Sequence, residues 1–126
     1  MKNTLALFLT LFVITTNVYA EWINYSSYNF FFYDNSSIKR NGNKVRVWNY
    51  NNVKSDDMKA KSMNIGSMRA LDEIDCINET YTTLALDSYS KPNLEGDFET
   101  IKVSSKIDYI VPSSTHSSLM KLVCKK

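Results

Sequence analysis

The sequence contains few histidine, cysteine, glycine or proline residues. Its 126 residues include one His, two Cys, three Gly and two Pro. A single imidazole cannot complete a zinc shell, and no Cys-x-x-Cys pair is present, which argues against a metal or redox site. No Gly-x-Ser-x-Gly segment is present, and the serines around His116 have the composition of a helix start. We therefore expect a protein that is not an enzyme, with no catalytic residues, no metal and no other cofactor.

Neither sign of charge dominates the sequence. Fifteen Lys and Arg face 13 Asp and Glu, for a formal net charge of +2. A domain that neutralises phosphates concentrates basic charge, so nucleic acid is not an expected partner. The acidic residues Asp72, Glu73 and Asp75 alternate along an extended segment, and we interpret them as a solvated strand edge rather than a glycosidase or cation site. His116 is interpreted in the same way, as a surface residue of a helix start.

The long apolar run of the sequence lies at its N-terminus. Residues 1–20 combine a charged Lys2, apolar residues from Leu5 to Ile14 and the small-x-small sequence Val18-Tyr19-Ala20, a pattern typical of a secretory signal peptide. The run is shorter than the roughly 20 residues that cross a bilayer, and a glutamate follows where a lipoprotein carries cysteine. We expect cleavage after residue 20 and export of residues 21–126 as one domain. This domain is predicted to be periplasmic or secreted, without a lipid anchor or stable membrane insertion.

The two cysteines, Cys76 and Cys124, are expected to form a disulfide bond. Export places them in an oxidising compartment, where an even number of cysteines usually pairs, and two cysteines allow one pairing. The bond would close a loop of about 49 residues and restrict the unfolded chain by roughly 4 kcal/mol. That value is a large share of the about 5 to 15 kcal/mol that stabilises a typical domain.

Strand patterns occupy most of residues 21–126. The aromatic segment 28–34 and the alternating segment 44–50, with the turn signal Asn41-Gly42 before it, predict a hairpin. Alternation places Val45 and Val47 on one face of this strand and Trp48 on the other. Further strands are predicted for three segments, and one segment is predicted to be a polar loop. The strands are 67–76, 78–90 and 97–105, and the loop is 51–66.

The end of the chain predicts a short helix. Pro112 ends the extended part, and Ser113 or Ser114 can cap a helix. Apolar residues then recur at helical spacing, namely Leu119, Met120, Val123 and Cys124. A helix of about ten residues is marginal alone in water, so it needs a surface on which to lie. Because Cys124 lies on its apolar side, we expect the helix to lie on a face of the sheet and to be tied there by the disulfide.

Short motifs follow one another in a characteristic order along nearly all of residues 21–126. In chain order they are Trp22, Tyr33-Asp34-Asn35, Ser37-Ile38, Val45 to Trp48, Ile74 to Cys76, Ile110 to Ser114 and Leu119 to Cys124. This order resembles the surface-adhesin protein E family. The resemblance implies an α+β fold in which an antiparallel sheet of about six strands carries a C-terminal helix, packed on one face and tied to it by a disulfide.

The same resemblance implies adhesion. Known members include a bacterial outer-membrane lipoprotein that binds host vitronectin, laminin and plasminogen and has been linked to haem. This sequence lacks the lipid-bearing cysteine of that protein. The resemblance also favours a homodimer.

Aromatic and basic side chains are the candidates for contact with a protein partner, because interface cores favour Tyr, Trp and Arg. They are Trp48, Tyr50, Tyr89, Lys44, Arg46 and Lys54. A second interpretation, left open by the sequence, places Trp48 in the core beneath the helix. Two functions follow from these patterns. The first is an exported binding protein that contacts host extracellular-matrix or serum proteins. The second is a periplasmic inhibitor of a cell-wall hydrolase such as lysozyme, which would insert the Lys54 to Lys61 loop into an acidic cleft.

Overall fold

The computed structural model of the protein describes residues 12–17, 19–27 and 30–125, and most of this part of the chain is strand. The predicted signal peptide, residues 1–20, and the start of the predicted strand 28–34 lie partly outside the described residues. The strands are β1 Trp22–Asn24, β2 Phe31–Asp34, β3 Lys39–Asn41, β4 Lys44–Asn52, β5 Ser67–Asp75, β6 Thr80–Lys91, β7 Glu95–Ile101 and β8 Ile107–Tyr109, and the helices are α1 Met58–Ser62 and α2 Thr115–Val123. None of the helices in the described ranges has both the length and the apolar character needed to span a membrane.

These strands form one antiparallel sheet. Six of them follow the order β1-β2-β4-β5-β6-β7, while β3 pairs with β4 and β8 pairs with β6. Each of these two strands pairs along the same edge as another strand. β2 and β3 pair with different parts of one edge of β4, and β7 and β8 pair with different parts of one edge of β6. The predicted sheet of about six strands is therefore confirmed, with two short strands added. The α+β class is confirmed only in that the chain has a sheet and a C-terminal helix, because strand strongly predominates.

The turn at Gly42 joins a different pair of strands from the predicted one. β3 ends at Asn41, and Gly42 and Asn43 form the turn into β4. Gly42 has a φ of 60°, a conformation that glycine adopts without steric cost. The predicted pairing of the aromatic strand with β4 is also present, because β2 joins β4 farther along the same edge. Between β2 and β3, Asn35–Ser37 forms a single 3₁₀ turn.

Residues 51–66 do not form a polar loop throughout, so this prediction was wrong in part. β4 continues to Asn52, and α1 occupies Met58–Ser62. The side chain of Asp57 caps α1 by accepting a hydrogen bond from the backbone N–H of Ala60 at 3.0 Å. A helix of five residues is too short to show a hydrophobic period, which explains why the sequence pattern did not reveal it.

The alternation along β4 defines two faces of the sheet. The valine face carries Val45 and Val47, and the tryptophan face carries Trp48 and Tyr50. Because paired strands keep this alternation, the residues opposite each position of β4 on β5 belong to the same face. Ile74, which lies opposite Val45, is therefore on the valine face. The predicted division of β4 between two faces is confirmed.

The main buried cluster lies on the valine face and includes residues of α2. Val45, Val47, Ile74, Leu119 and Val123 belong to this cluster, and none of them is more than 1% exposed. Burial of each such side chain contributes about 1.5 to 3 kcal/mol. The predicted apolar positions of the helix are thus confirmed for its two most buried residues. The tryptophan of β4 lies on the other face and outside this cluster, so its interpretation as core beneath the helix does not hold.

The C-terminal end of α2 has two connections to the sheet. The predicted disulfide between Cys76 and Cys124 is present, with Cys76 directly after β5 and Cys124 directly after α2. The guanidinium of Arg40, on β3, donates hydrogen bonds to the backbone carbonyls of Val123 and Lys125. A positive charge at this end of a helix is favourable, because the last carbonyls carry partial negative charge.

Asp75 stabilises the turn between β5 and β6, and its titration provides a test of the turn. Its carboxylate accepts hydrogen bonds from the backbone N–H of Asn78 at 2.9 Å, the side-chain amide of Asn78 at 3.0 Å and the backbone N–H of Ile77 at 3.1 Å. The pKa of Asp75 is lowered below its ordinary value of 3.8, and the hydrogen bonds from Asn78 contribute most to this shift. Since the folded pKa is the lower one, the stabilising contribution is complete above the ordinary value and is lost as pH falls through the folded pKa.

We expect a carboxyl ¹³C NMR titration of Asp75 to show a midpoint below 3.8 in the native protein. Replacing Asn78 with alanine removes the side-chain donor and should move the midpoint upward. A native midpoint at or above the ordinary value would contradict the turn geometry.

Candidate functional site

Five of the six predicted partner-binding residues lie on the tryptophan face. Lys44, Arg46, Trp48 and Tyr50 alternate along β4, and Tyr89 is on β6, on the same side of the sheet. The basic residues occupy the first half of β4, and the aromatic residues occupy the second half and its neighbours. The structure therefore brings these five together on one surface, although whether they contact a partner stays a prediction.

Arg69, on β5, lies between the aromatic residues of this face. Its Cζ atom is 5.0 Å from the ring centroid of Trp48 and 5.7 Å from that of Tyr89. Both distances are within the roughly 6 Å over which a guanidinium is attracted to an aromatic ring. The Nη2 and Nε atoms of Arg69 donate to Oδ2 of Asp87 at 2.8 and 3.2 Å. Because Asp87 is nearly buried, this pair holds the guanidinium, and with it the spacing of the two rings.

The other aromatic residues divide into buried and exposed ones. Tyr50 is only 7% exposed, because its ring packs edge-on against Trp22 and stacks on Phe32, with centroid distances of 4.8 and 4.7 Å. Tyr50 therefore supports the surface and offers little area to a partner. Phe98, on the edge strand β7, is exposed and lies 5.4 Å from the ring of Tyr89. It extends the aromatic surface to the edge of the sheet.

The two basic residues of β4 share one carboxylate. Nζ of Lys44 is 3.7 Å from Oε1 of Glu73, and Nε of Arg46 donates to Oε2 of Glu73 at 2.8 Å. Both cations stay exposed. Exposed ion pairs are worth about 0 to 1 kcal/mol, so either cation can exchange Glu73 for an acidic group of a partner at little cost.

Lys54 is not part of this surface. It follows the end of β4 and borders a cavity of about 540 Å³ that is lined by residues of the valine face and of the α1 segment, residues 53–65. The valine-face residues there include Asn51 and Met68, which lie opposite each other on β4 and β5. The prediction grouped Lys54 with the β4 residues because it is close to them in sequence, but the chain leaves the sheet after Asn52.

A polar cluster on the valine face was misinterpreted from the sequence. Asp72 is 1% exposed, so its interpretation as part of a solvated strand edge was wrong. Its Oδ1 accepts a hydrogen bond from Oγ1 of Thr83 at 2.7 Å, and its Oδ2 accepts one from Nδ2 of Asn49 at 2.8 Å. Oδ2 also lies 3.3 Å from Nε2 of His116. The cluster thus joins β4, β5 and β6 to α2.

His116 lies at the helix start, as predicted, but it also belongs to this cluster. It is the second residue of α2, and Ser114 caps the helix by accepting a hydrogen bond from the backbone N–H of Ser117 at 3.2 Å. The imidazole stacks on the ring of Tyr81 with a centroid distance of 3.8 Å, and its side chain is 32% exposed. Its interpretation as a surface residue was therefore wrong in part, because the imidazole is half-buried.

The polar groups of this cluster are engaged with one another. Every buried side-chain nitrogen or oxygen in the described part of the chain has a hydrogen-bond partner. Burial, and to a smaller extent the negative charge of Asp72, raise the pKa of Tyr25 above its ordinary value. Tyr25 therefore lies near this cluster. Such a network fixes the position of the helix start relative to the sheet.

Taken together, the fold and the two faces define a class of small disulfide-linked β-proteins whose candidate site is an open surface. The sequence profile of the surface-adhesin protein E family matches residues 22–125. The chain therefore belongs to the surface-adhesin protein E family, as the order of its motifs predicted.

Solved structures of Haemophilus influenzae protein E share the fold. Crystal form II of that protein has a TM-score of 0.66 and 18% sequence identity, and the match covers 86% of this chain and 91% of the other. A second structure of protein E gives 0.63 and 16%, with coverage of 86% and 87%. Protein E from non-typeable Haemophilus influenzae gives 0.62 and 17%, with coverage of 86% and 78%. No curated protein sequence matches the chain.

Proposed function

We propose that the protein is an exported, non-enzymatic binding protein that contacts host extracellular-matrix or serum proteins through its tryptophan face. The observation that carries this proposal is the arrangement around Arg69, whose guanidinium lies between the rings of Trp48 and Tyr89 on the same face as the exposed cations Lys44 and Arg46. Trp, Tyr and Arg dominate the energetic centres of protein interfaces. A surface whose side chains are already held in place loses less conformational entropy on binding.

The other face supports the same choice. We propose that α2 covers one end of the valine face, where Leu119 and Val123 share a buried cluster with the valines of β4. The disulfide and the polar cluster around Asp72 would hold it there. The valine face would then be partly covered by α2, and the tryptophan face would be accessible to a partner. Export to the cell surface or the medium is part of this proposal, because host proteins are reached there.

Two further expectations stay predictions. A homodimer could form by pairing of a second copy at β7, an edge strand with unpaired backbone groups and the exposed Phe98. The inhibitor function is supported by the exposed lysines Lys54, Lys59 and Lys61 on and before α1, which suit an acidic cleft. Unchanged turnover of lysozyme in the presence of excess protein would exclude inhibition of that enzyme.

Replacing Trp48 with alanine tests the proposed binding surface. We expect the variant to bind immobilised laminin or vitronectin at least about tenfold more weakly than the native protein at physiological salt, because central Trp residues are typical binding hot spots. Surface plasmon resonance measures the dissociation constants.

The matched control replaces Met58, a 76% exposed apolar residue on α1, with alanine and should leave binding unchanged. Thermal unfolding followed by circular dichroism verifies that both variants are folded. Equal affinities of the Trp48 variant and the native protein, or native binding no stronger than that to albumin, would remove the proposal.

A further inference from the structure

The cavity beside Lys54 is an apolar groove that the proposed binding surface does not use. Phe31, Met68 and Ile101 line it from the sheet, and Ala60 and Met63 line it from the α1 segment. Its volume of about 540 Å³ lies within the range of about 300 to 1,000 Å³ that is typical of small-molecule sites. The groove belongs to the valine face, because Phe31 and Met68 both lie opposite Asn51 of β4, on either side of that strand. It is therefore on the side of the sheet away from Trp48.

Two lysines provide positive charge at the rim of this groove. Lys54 and Lys59 both line it, and neither forms an ion pair with another of the described residues. The carboxylate of Asp57, which caps α1 through the backbone N–H of Ala60, also lines the groove, so the charged lining residues sum to one net positive charge. The groove thus combines apolar walls with a cationic edge, which complements a molecule with an apolar body and an anionic end.

We propose that this groove binds a free fatty acid. Its hydrocarbon chain would lie against Phe31, Met68 and Ile101, and its carboxylate would be bound by Lys54 and Lys59. The two methionines suit a flexible chain, because the unbranched thioether adapts to irregular apolar surfaces. Lysine suits a single carboxylate, since its ammonium is a compact charge on a flexible stem. The volume accommodates one small ligand, which favours a single-chain acid over a diacyl lipid.

Affinity is expected to depend on chain length. Titration calorimetry of the purified protein with decanoate, dodecanoate and tetradecanoate, each below its critical micelle concentration, measures this dependence. Each additional methylene that enters the groove should strengthen binding about fourfold. Saturable binding that does not change along this series would overturn the proposal, because it would place the hydrocarbon chain outside the groove.

The α1 segment offers two matched pairs of variants. Met63→Glu and Lys54→Glu change residues that line the groove, whereas Met58→Glu and Lys61→Glu change exposed residues of the same segment that do not line it. We expect the first pair to weaken dodecanoate binding about tenfold or more, because each places a carboxylate beside the ligand or its apolar chain. The second pair should stay within about twofold of the native protein.

Three results would overturn the inference. They are the absence of saturable binding, equal weakening by the control variants, and binding to phosphatidylglycerol vesicles without binding of free dodecanoate. The last result would assign the groove to a membrane surface. The Trp48→Ala variant distinguishes this site from the proposed partner surface, since it should retain dodecanoate binding whether or not that surface binds a protein.

Discussion

Replacing Cys76 and Cys124 with serine is expected to lower the free energy of unfolding by about 4 kcal/mol. The disulfide joins residues 48 positions apart, so its removal greatly enlarges the unfolded ensemble. It also leaves α2, a helix of nine residues, attached to the sheet by non-covalent contacts alone. Denaturant unfolding of the native protein and the double variant gives the two free energies. The double variant is preferred to Cys124→Ser because it leaves no free thiol.

Reduction of the native protein provides the control for this experiment. A reductant should bring the native protein to the stability of the double variant and should leave the variant itself unchanged. The variant should still fold, because Leu119, Val123 and the hydrogen bonds from Arg40 continue to hold the helix. Equal unfolding midpoints in the absence of reductant would contradict the role of the disulfide. So would the detection of two free thiols in the denatured native protein.

Those parts of the fold that depend on a local period could be predicted from the sequence. The alternation of Val45 and Val47 with Trp48 separates the two faces correctly, because successive side chains of a strand must point to opposite sides. The spacing of Leu119 and Val123 identifies the buried side of α2 for the same kind of reason.

Short elements could not be predicted, because they contain too few residues to show a period. α1 has five residues and β3 has three, and each was placed within a loop or turn. The turn at Gly42 was misplaced by one residue. Asn41-Gly42 and Gly42-Asn43 are both acceptable turn sequences, and only the pairing of β3 with β4 decides between them.

The candidate site shows the same limit at the level of side chains. The sequence identified the residues of β4 that share a face, but it did not identify Arg69, whose position beside Trp48 depends on the register of β5 against β4. It also did not place Asp72 in the interior. The groups that make its burial tolerable, Thr83 and His116, lie 11 and 44 residues away in sequence.

Replacing Asp72 with alanine is expected to lower the free energy of unfolding by about 3 kcal/mol. The change removes the acceptor that Thr83, Asn49 and His116 share, and it leaves their polar groups in a largely buried site. An unsatisfied buried group loses its hydration without gaining a hydrogen bond, which is why the cost exceeds that of an ordinary lost contact. Denaturant unfolding at neutral pH gives the difference, and Asp72→Asn, which keeps one acceptor oxygen, should fall between the two.

Glu73 provides the control. It is the residue of β5 directly after Asp72, and it lies on the opposite face of the sheet. Its carboxylate pairs with the exposed cations Lys44 and Arg46, so Glu73→Ala should cost less than about 1 kcal/mol. Equal losses for the two variants would mean that Asp72 is as solvated as its neighbour and would contradict its place in the interior. A large loss for Asp72 alone would show that adjacent acidic residues of one strand serve opposite purposes. One would join the helix start to the sheet, and the other would keep two cations oriented at an open surface.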